Sequence, residues 1–244
     1  AYFSCALSRH CSDVLNIGAG YGITAGAFTR FPELRRLRAV ELLPFVLGLQ
    51  PLFQDYNFAY FRDPRVELVQ GDGRHLLANE DRRYDVISVN VLDPYMPGSA
   101  SLFTVDFWRL ARRRLRPGGV YSQLIWGPDT DLLVRGLKTV FPKVMYFPAY
   151  GNHFNVVALT EPSDPVHPES LQGPVAEALK RLGIDDPKLF ASIVLENSRA
   201  FAARMDKRAA AATGLHTDDL PGLEYRWSHK TPGLSNFDSL QFSD

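Results

Sequence analysis

The chain has 244 residues, 45% hydrophobic and 22% charged, the composition of an ordinary globular protein with apolar residues for one large core or a core plus an appendage. Its 27 basic residues balance its 27 acidic ones, so bulk electrostatics predict neither a nucleic-acid partner nor a membrane-surface partner. No apolar run reaches the roughly 18–20 residues that span a bilayer, and no signal peptide is visible.

Cys5 and Cys11 come first along the chain. They make no metal-ligand spacing and no disulfide framework, which fits a reducing compartment and a cytoplasmic location. The first apolar run follows so closely that a piece of something longer is expected, or a domain without its usual preface. Short apolar runs then predict strands at 13–17, 37–41, 66–70, 84–90, 119–126, 143–148 and 153–159, with helices near 22–31, 44–55, 73–79, 101–115 and 129–141. Strands that alternate with helices imply parallel βαβ units in a doubly wound sheet. Between the last two strands lies only the segment Pro148 to Asn152, too short for a crossover helix, so those two are expected to pair antiparallel. The expected fold class is α/β: a class I methyltransferase-like Rossmann fold with a mostly parallel seven-stranded sheet, an antiparallel last strand and C-terminal helices. A dinucleotide-binding sheet usually ends in a parallel strand. Residues 1–160 are expected to form this domain. Residues 161–170, rich in Pro, Ser, Asp and Glu, read as a linker. Helices near 171–183 and 187–213 and a turn-rich tail then make 161–244 a helical extension packing on the sheet domain. The basic cluster Arg109, Arg112, Arg113, Arg114 and Arg116 reads as a solvated helix face and C-terminal end, where cations suit the helix dipole. An alanine-rich face on the last helix (Ala200, Ala202, Ala203 and Ala209 to Ala212) suits packing on a partner or on the chain's own sheet.

The most informative stretch is Asp13 to Gly22, a buried strand running into the turn Gly18-Ala19-Gly20-Tyr21-Gly22 and then a helix. Glycines let backbone approach a ligand closely, and a carboxylate at the end of the next strand, here Glu41, accepts hydrogen bonds from a ribose diol. Asp72, within Gly71-Asp72-Gly73, ends the third strand, and Asn90 and Asp93 end the fourth. Ligands of open α/β sheets bind across the carboxyl ends of the strands, so polar side chains at successive strand ends point to a nucleoside site. A dinucleotide fingerprint places its third glycine three residues after the second. Here Gly22 follows Gly20 by two and the next position is Ile23, which favours an S-adenosyl ligand. Core or rim packing is the ordinary reading for Tyr95, Trp126 and Tyr150, with stacking on adenine or shaping of a substrate pocket as the alternative. His75 reads as a helix-surface residue, His153 as structural, Gln123 as a candidate pocket wall, and Asp218 and Asp219 as turn caps or a cover over the site.

Several of these motifs together resemble the spermidine synthase family. They are Asp63-Pro64-Arg65-Val66-Glu67-Leu68-Val69-Gln70-Gly71-Asp72-Gly73-Arg74, Tyr84-Asp85-Val86-Ile87, Asp93-Pro94, Ser101-Leu102-Phe103-Thr104 and Leu115-Arg116-Pro117-Gly118-Gly119-Val120. The run from Asp93 to Thr104 and the late segment 217–225 are similar to a bacterial branch in which this domain is fused to membrane segments. The resemblance covers roughly 13–160 plus that tail. It implies transfer of an aminopropyl group from decarboxylated S-adenosylmethionine to an amine such as a polyamine, with release of methylthioadenosine. It also implies a tendency to dimerise, no metal, and membrane segments upstream, which would put the protein on the cytoplasmic face of a membrane. Carried over, Glu41 holds the ribose and Asp72 the adenine edge. Gly18, Ala19, Gly20, Tyr21, Gly22 and Gly73 line the backbone approach. Asn90 and Asp93 face the reacting sulfonium, and Tyr95 and Gln123 border the substrate pocket.

The chain departs from that family at three points. Tyr21 stands where the glycine turn usually carries an Asp, Asn90 stands at the catalytic Asp, and the β-hairpin preface that closes the amine pocket is missing from the sequence. A carboxylate takes a proton from an attacking amine, whereas an amide only orients it; Asp93 is the remaining candidate base. Loss of a carboxylate near the donor tail also removes a repulsion against intact S-adenosylmethionine. Three other functions therefore stand beside aminopropyl transfer: cyclisation or lysis of S-adenosylmethionine without an external amine, methyl transfer, and non-catalytic binding of S-adenosyl compounds.

Overall fold

The computed structural model describes residues 1–91, 94–95, 98–127, 129–148, 153–162, 171–219 and 223. Asp93 and Tyr150, named above, lie outside the described residues. The strands are β1 (Asp13–Ile17), β2 (Arg36–Glu41), β3 (Val66–Gln70), β4 (Tyr84–Val89), β5 (Leu115–Ile125), β6 (Lys143–Pro148) and β7 (Phe154–Leu159). They form one seven-stranded sheet in the order β3-β2-β1-β4-β5-β7-β6. Pairings from β3 across to β5 are parallel, and β7 runs antiparallel to both β5 and β6. This is the class I methyltransferase-like Rossmann arrangement.

Strand order reverses between β1 and β4. From β1 the chain winds outward through β2 to β3, then returns to the other side for β4 and β5. Ligands of open α/β sheets bind at such a reversal of strand order, outside the carboxyl ends of the strands. The central strands are buried on both faces: every residue of β4 and all of β1 beyond Asp13. Alternate side chains serve two cores. Leu15, Ile17, Ile87 and Val89 join the larger cluster with Leu77, Trp108, Leu133 and Met205. Val14, Leu37, Ala39 and Val86 join the other with Phe28, Leu171 and Val175.

Helices α1 (Tyr2–Leu7), α2 (Ile23–Phe28), α3 (Pro44–Leu49), α4 (Gln54–Asn57), α5 (Gly73–Asn79), α6 (Val105–Arg114), α7 (Thr130–Val140), α8 (Pro174–Lys180) and α9 (Pro187–Ala211) complete the described fold. The sequence places no helix before β1, yet α1 buries Cys5, Ala6 and Leu7 against the sheet. The helix expected over 44–55 breaks at Pro51 into α3, a 3-10 turn at Gln50–Phe53 and α4. That expected over 101–115 becomes a 3-10 turn at Ala100–Phe103 followed by α6, because the Thr104 hydroxyl caps α6 by accepting the Phe107 N–H at 3.1 Å. Helix α9 begins at the Asp186 cap and lies along β6, where Ser198 Oγ accepts the Tyr146 N–H at 3.2 Å and satisfies one donor of an edge strand. Among the described residues, no helix is long and apolar enough to cross a membrane.

Contrary to the expectation that the two cysteines make no disulfide, they are joined. Cys5 and Cys11 form a disulfide with a Cα–Cα distance of 5.2 Å. Helix α1 ends at Leu7 and the chain doubles back, which sets Cys11 beside Cys5.

The N-terminal ends of β1, β4 and β5 are tied by one buried carboxylate. Asp85 accepts the Ser12 N–H at 2.9 Å, the Ser12 hydroxyl at 3.0 Å and the Asp13 N–H at 2.9 Å, and it pairs with Arg116 at 3.0 Å. Burial alone raises the Asp85 carboxyl, but the Asp13 N–H, Arg116 and Ser12 together hold it below its ordinary value of 3.8. A lowered folded pKa means stability that is fully present above the ordinary carboxylate range and lost as pH falls through the folded value. Asp85→Asn is expected to cost about 2 kcal/mol at neutral pH. The gap between it and the parent chain in urea unfolding is expected to shrink below that range; a gap that stays constant with pH would show that the charge is not the source.

Candidate active site

Beyond Ile17 the chain turns through Gly18, Gly20 and Gly22, all with left-handed φ of 78°, 54° and 84°. Only glycine adopts three such angles so closely spaced without strain. The Gly18 and Ala19 N–H groups both donate to the Val40 carbonyl, at 2.9 and 3.1 Å, which ties the turn to the end of β2. Glu41 is the next residue. One of its carboxylate oxygens accepts the Gly20 N–H at 2.9 Å and the other the Leu43 N–H at 3.1 Å. A carboxylate offers about four lone-pair sites, so two such bonds leave capacity for a diol.

Two residues that the sequence reading did not single out hold the turn from behind. Gln50 Nε2 donates to the Gly20 carbonyl at 3.0 Å. Asn57 Nδ2 donates to the Tyr21 and Gln50 carbonyls, each at 2.9 Å. Both side chains are fully buried. No local pattern marks them, because residues 50–57 (Gln50-Pro51-Leu52-Phe53-Gln54-Asp55-Tyr56-Asn57) mix polar and apolar side chains.

At the end of β3, Asp72 caps α5 by accepting the His75 N–H at 2.9 Å. A Cβ on Gly73 would lie 2.4 Å from the Ile17 side chain, so α5 starts directly against β1 because residue 73 has none. At the end of β4, the Asn90 N–H donates to the Ile17 carbonyl at 2.8 Å, and its side-chain Nδ2 is buried with no hydrogen-bond partner among the described residues. Stranded buried donors are rare in folded proteins and collect at functional sites.

These strand ends surround a cleft of about 510 Å³, lined by Gly18, Gly20, Glu41, Asp72, Gly73 and Asn90. Leu42 and Leu43 flank it on one side, and Gly98, Ser99, Ser101 and Leu102 form the facing wall. The size lies within the ordinary range for small-ligand sites. A second cleft of about 630 Å³ lies between residues 5–12 and 32–35, at the opposite end of the sheet. It is larger, but it lies away from the carboxyl ends of the strands.

The remaining expected site residues sit elsewhere. Ala19 is buried in the second core. The Tyr21 ring is half-exposed and stacks on Phe53 with centroids 4.3 Å apart. Gly22 packs against the Tyr60 ring. Tyr95 is buried edge-on to Trp126, with its hydroxyl 3.3 Å from the Asp129 carboxylate. Trp126 in turn stacks on His153. His75 is exposed on α5. Gln123 stands behind the wall: its Nε2 donates to the Leu102 carbonyl at 3.1 Å, and its Oε1 accepts from Trp108 Nε1 at 3.1 Å and from the Tyr121 hydroxyl at 2.7 Å. Burial pushes the Tyr121 phenol far above its ordinary range, so it stays a donor. Gln123→Leu would strand all three groups. It is expected to cost about 3 kcal/mol in urea unfolding; a neutral substitution would show that this network does not support the wall.

Comparison with known proteins bears on the whole arrangement. A family model described as "Spermine/spermidine synthase domain" matches residues 3–164. The chain is 35% identical to a polyamine aminopropyltransferase of Nitrosomonas europaea over 187 residues, 72% of this chain and 56% of that protein. It is 38% identical to putrescine N-methyltransferase 2 of Nicotiana attenuata over 117 residues, 46% of this chain and 31% of that protein. The chain thus spans about half the length of the first relative and about a third of the second. A crystal structure of spermidine synthase from Thermotoga maritima superposes with a TM-score of 0.61 at 23% identity, over 70% of this chain and 62% of that one, which shows the shared fold.

Proposed function

The chain belongs to the spermine/spermidine synthase domain family, and from that premise we propose that it is a transferase using S-adenosylmethionine or its decarboxylated form as the group donor. The observation that carries this reading is the convergence of Gly18, Gly20, Glu41, Asp72 and Asn90 on one cleft at the reversal point of the sheet. In the proposal, Glu41 accepts hydrogen bonds from the ribose diol while keeping its bonds to Gly20 and Leu43, and Asp72 meets the adenine edge. Residues 1–160 supply this site and the C-terminal helices brace it. Asn90 and Asp93 orient the reacting end, and a polyamine is the proposed acceptor.

The reaction is a displacement. The acceptor nitrogen attacks the alkyl carbon beside the sulfonium, the carbon–sulfur bond breaks, and methylthioadenosine leaves. The amine proton passes to Asp93. The sulfonium is already a good leaving group, so the rate gain comes mainly from alignment. A second reading is methyl transfer, supported by the similarity to a putrescine N-methyltransferase and by the neutral amide at residue 90.

Product analysis separates these readings. With intact and decarboxylated donor, each with and without polyamines, mass spectrometry is expected to find methylthioadenosine that depends on the amine. Methylthioadenosine without amine would indicate self-cyclisation or lysis, and S-adenosylhomocysteine would establish methyl transfer. Binding without either product would make the chain a binding module. Intact donor is expected to be accepted; equal or tighter binding of the decarboxylated form would count against that. Glu41→Gln is expected to weaken nucleoside binding tenfold or more, since a hydrogen bond to a charged group contributes about 1.5–3 kcal/mol.

A further inference from the structure

After α9 ends at Ala211, the chain returns across the molecule to the cleft. His216 is buried, and its carbonyl accepts the Val105 N–H at 2.9 Å while its ring Nε2 lies 3.3 Å from the Ala100 carbonyl. The Asp218 N–H donates to the Asp106 carboxylate at 3.0 Å. The Asp218 carboxylate then grips the Arg74 guanidinium with both oxygens, one of them at 3.0 Å. Farther on, Leu223 is fully buried in the larger core.

Arg74 is the connection to the cleft. It directly follows Gly73, which lines one side, and it donates to the Ser101 carbonyl and, at 3.3 Å, to the Thr104 hydroxyl. Ser99, Ser101 and Leu102 line the facing side. One guanidinium therefore spans the two sides, with its Cζ also 5.9 Å from the Phe107 ring centroid. Its side chain is only 24% exposed, and Asp218 is its one ion-pair partner among the described residues. Arg–carboxylate pairs with two parallel bonds are directional, so this one fixes the fork of Arg74 as well as its charge.

We propose that Arg74 and Asp218 are positioning residues for donor binding: the tail segment His216–Asp218 holds the Ala100–Phe103 turn at the separation from Asp72–Gly73 that a nucleoside base requires. This rests on the nucleoside reading of the cleft and adds a part to it. Neither residue touches the reacting atoms. Asp218 acts through Arg74, and Arg74 acts through the Ser101 carbonyl.

The test uses the full chain with methylthioadenosine as the probe, measured by calorimetry on the parent, Asp218→Ala, Asp218→Glu, Arg74→Gln and the double variant Arg74→Gln/Asp218→Ala. Asp218→Ala is expected to weaken binding about tenfold, roughly the loss of one charge-assisted contact. Asp218→Glu is expected to recover part of the loss, and the double variant to be no worse than the poorer single, as residues in one chain of contacts behave. Parent-like binding by Asp218→Ala, or additive losses in the double variant, would overturn the proposal. Amide hydrogen exchange of Leu102 and Phe103 gives a reading independent of ligand, expected to speed up in Asp218→Ala. If the parent does not bind methylthioadenosine, the nucleoside reading fails and the positioning claim falls with it. The exchange data then still decide whether the tail holds the wall, and unchanged exchange rejects that part too. If Asp218→Ala does not fold, Asp218→Asn keeps the shape, removes the charge and answers the same questions.

Discussion

The hydrogen bond from the Gly20 N–H to the Glu41 carboxylate is the contact on which the candidate site depends. Parallel pairing of β1 with β2, in the register Ile17↔Val40, makes the glycine turn and Glu41 leave the sheet side by side. The Val40 carbonyl takes the first two N–H groups of the turn, and Glu41 takes the next available one. A turn with three left-handed residues has little preference of its own, so these external bonds, with Gln50 and Asn57 behind, decide its shape. The same carboxylate that braces the turn also lines the cleft and is the ribose ligand of the proposed function. In that proposal rigidity and recognition are served by one side chain, which limits what can replace it.

The cleft is completed from three further directions. Gly73 lets α5 start against Ile17, and the backbone of Asn90 bonds to Ile17 from the β4 side. The wall from Gly98 to Leu102 is held at the Leu102 carbonyl by Gln123 and at the Ser101 carbonyl by Arg74. A bonded buried polar group such as Gln123 contributes more to a defined geometry than to net stability. Nδ2 of Asn90, a residue that lines the cleft, has no hydrogen-bond partner among the described residues.

Much of the fold was legible because its signals are local. Each strand announced itself as a short apolar run, and the segment Pro148 to Asn152 was too short for anything but an antiparallel return, as β6 and β7 show. Helix ends were less legible, since Thr104 and Pro51 divide segments whose apolar pattern runs through them. Helix α1 and the Cys5–Cys11 disulfide were missed because a short segment with two cysteines carries no periodic signal. In the site, residues at strand ends could be placed from the chain's rhythm: Gly18, Gly20, Glu41, Asp72, Gly73 and Asn90 meet at one cleft. Ala19, Tyr21, Gly22, Tyr95 and Gln123 do not line it, because which way a side chain points, in a turn, a loop or near the end of β5, depends on partners far along the chain, such as Phe53, Asp129 and Trp108. The Arg74–Asp218 pair joins residues 144 positions apart, and no local pattern encodes such a contact.

The central claim is that a nucleoside binds at the carboxyl ends of β1 to β4. It is tested most directly by titrating methylthioadenosine into isotopically labelled protein and following backbone amide resonances. Saturable shifts are expected at Gly18, Gly20, Leu43, Gly73 and Asn90, with none at Arg9 to Ser12 or Glu33 to Arg35. Shifts confined to those latter residues would move the ligand to the cleft at the other end of the sheet, and no shifts at all would remove the nucleoside from the account.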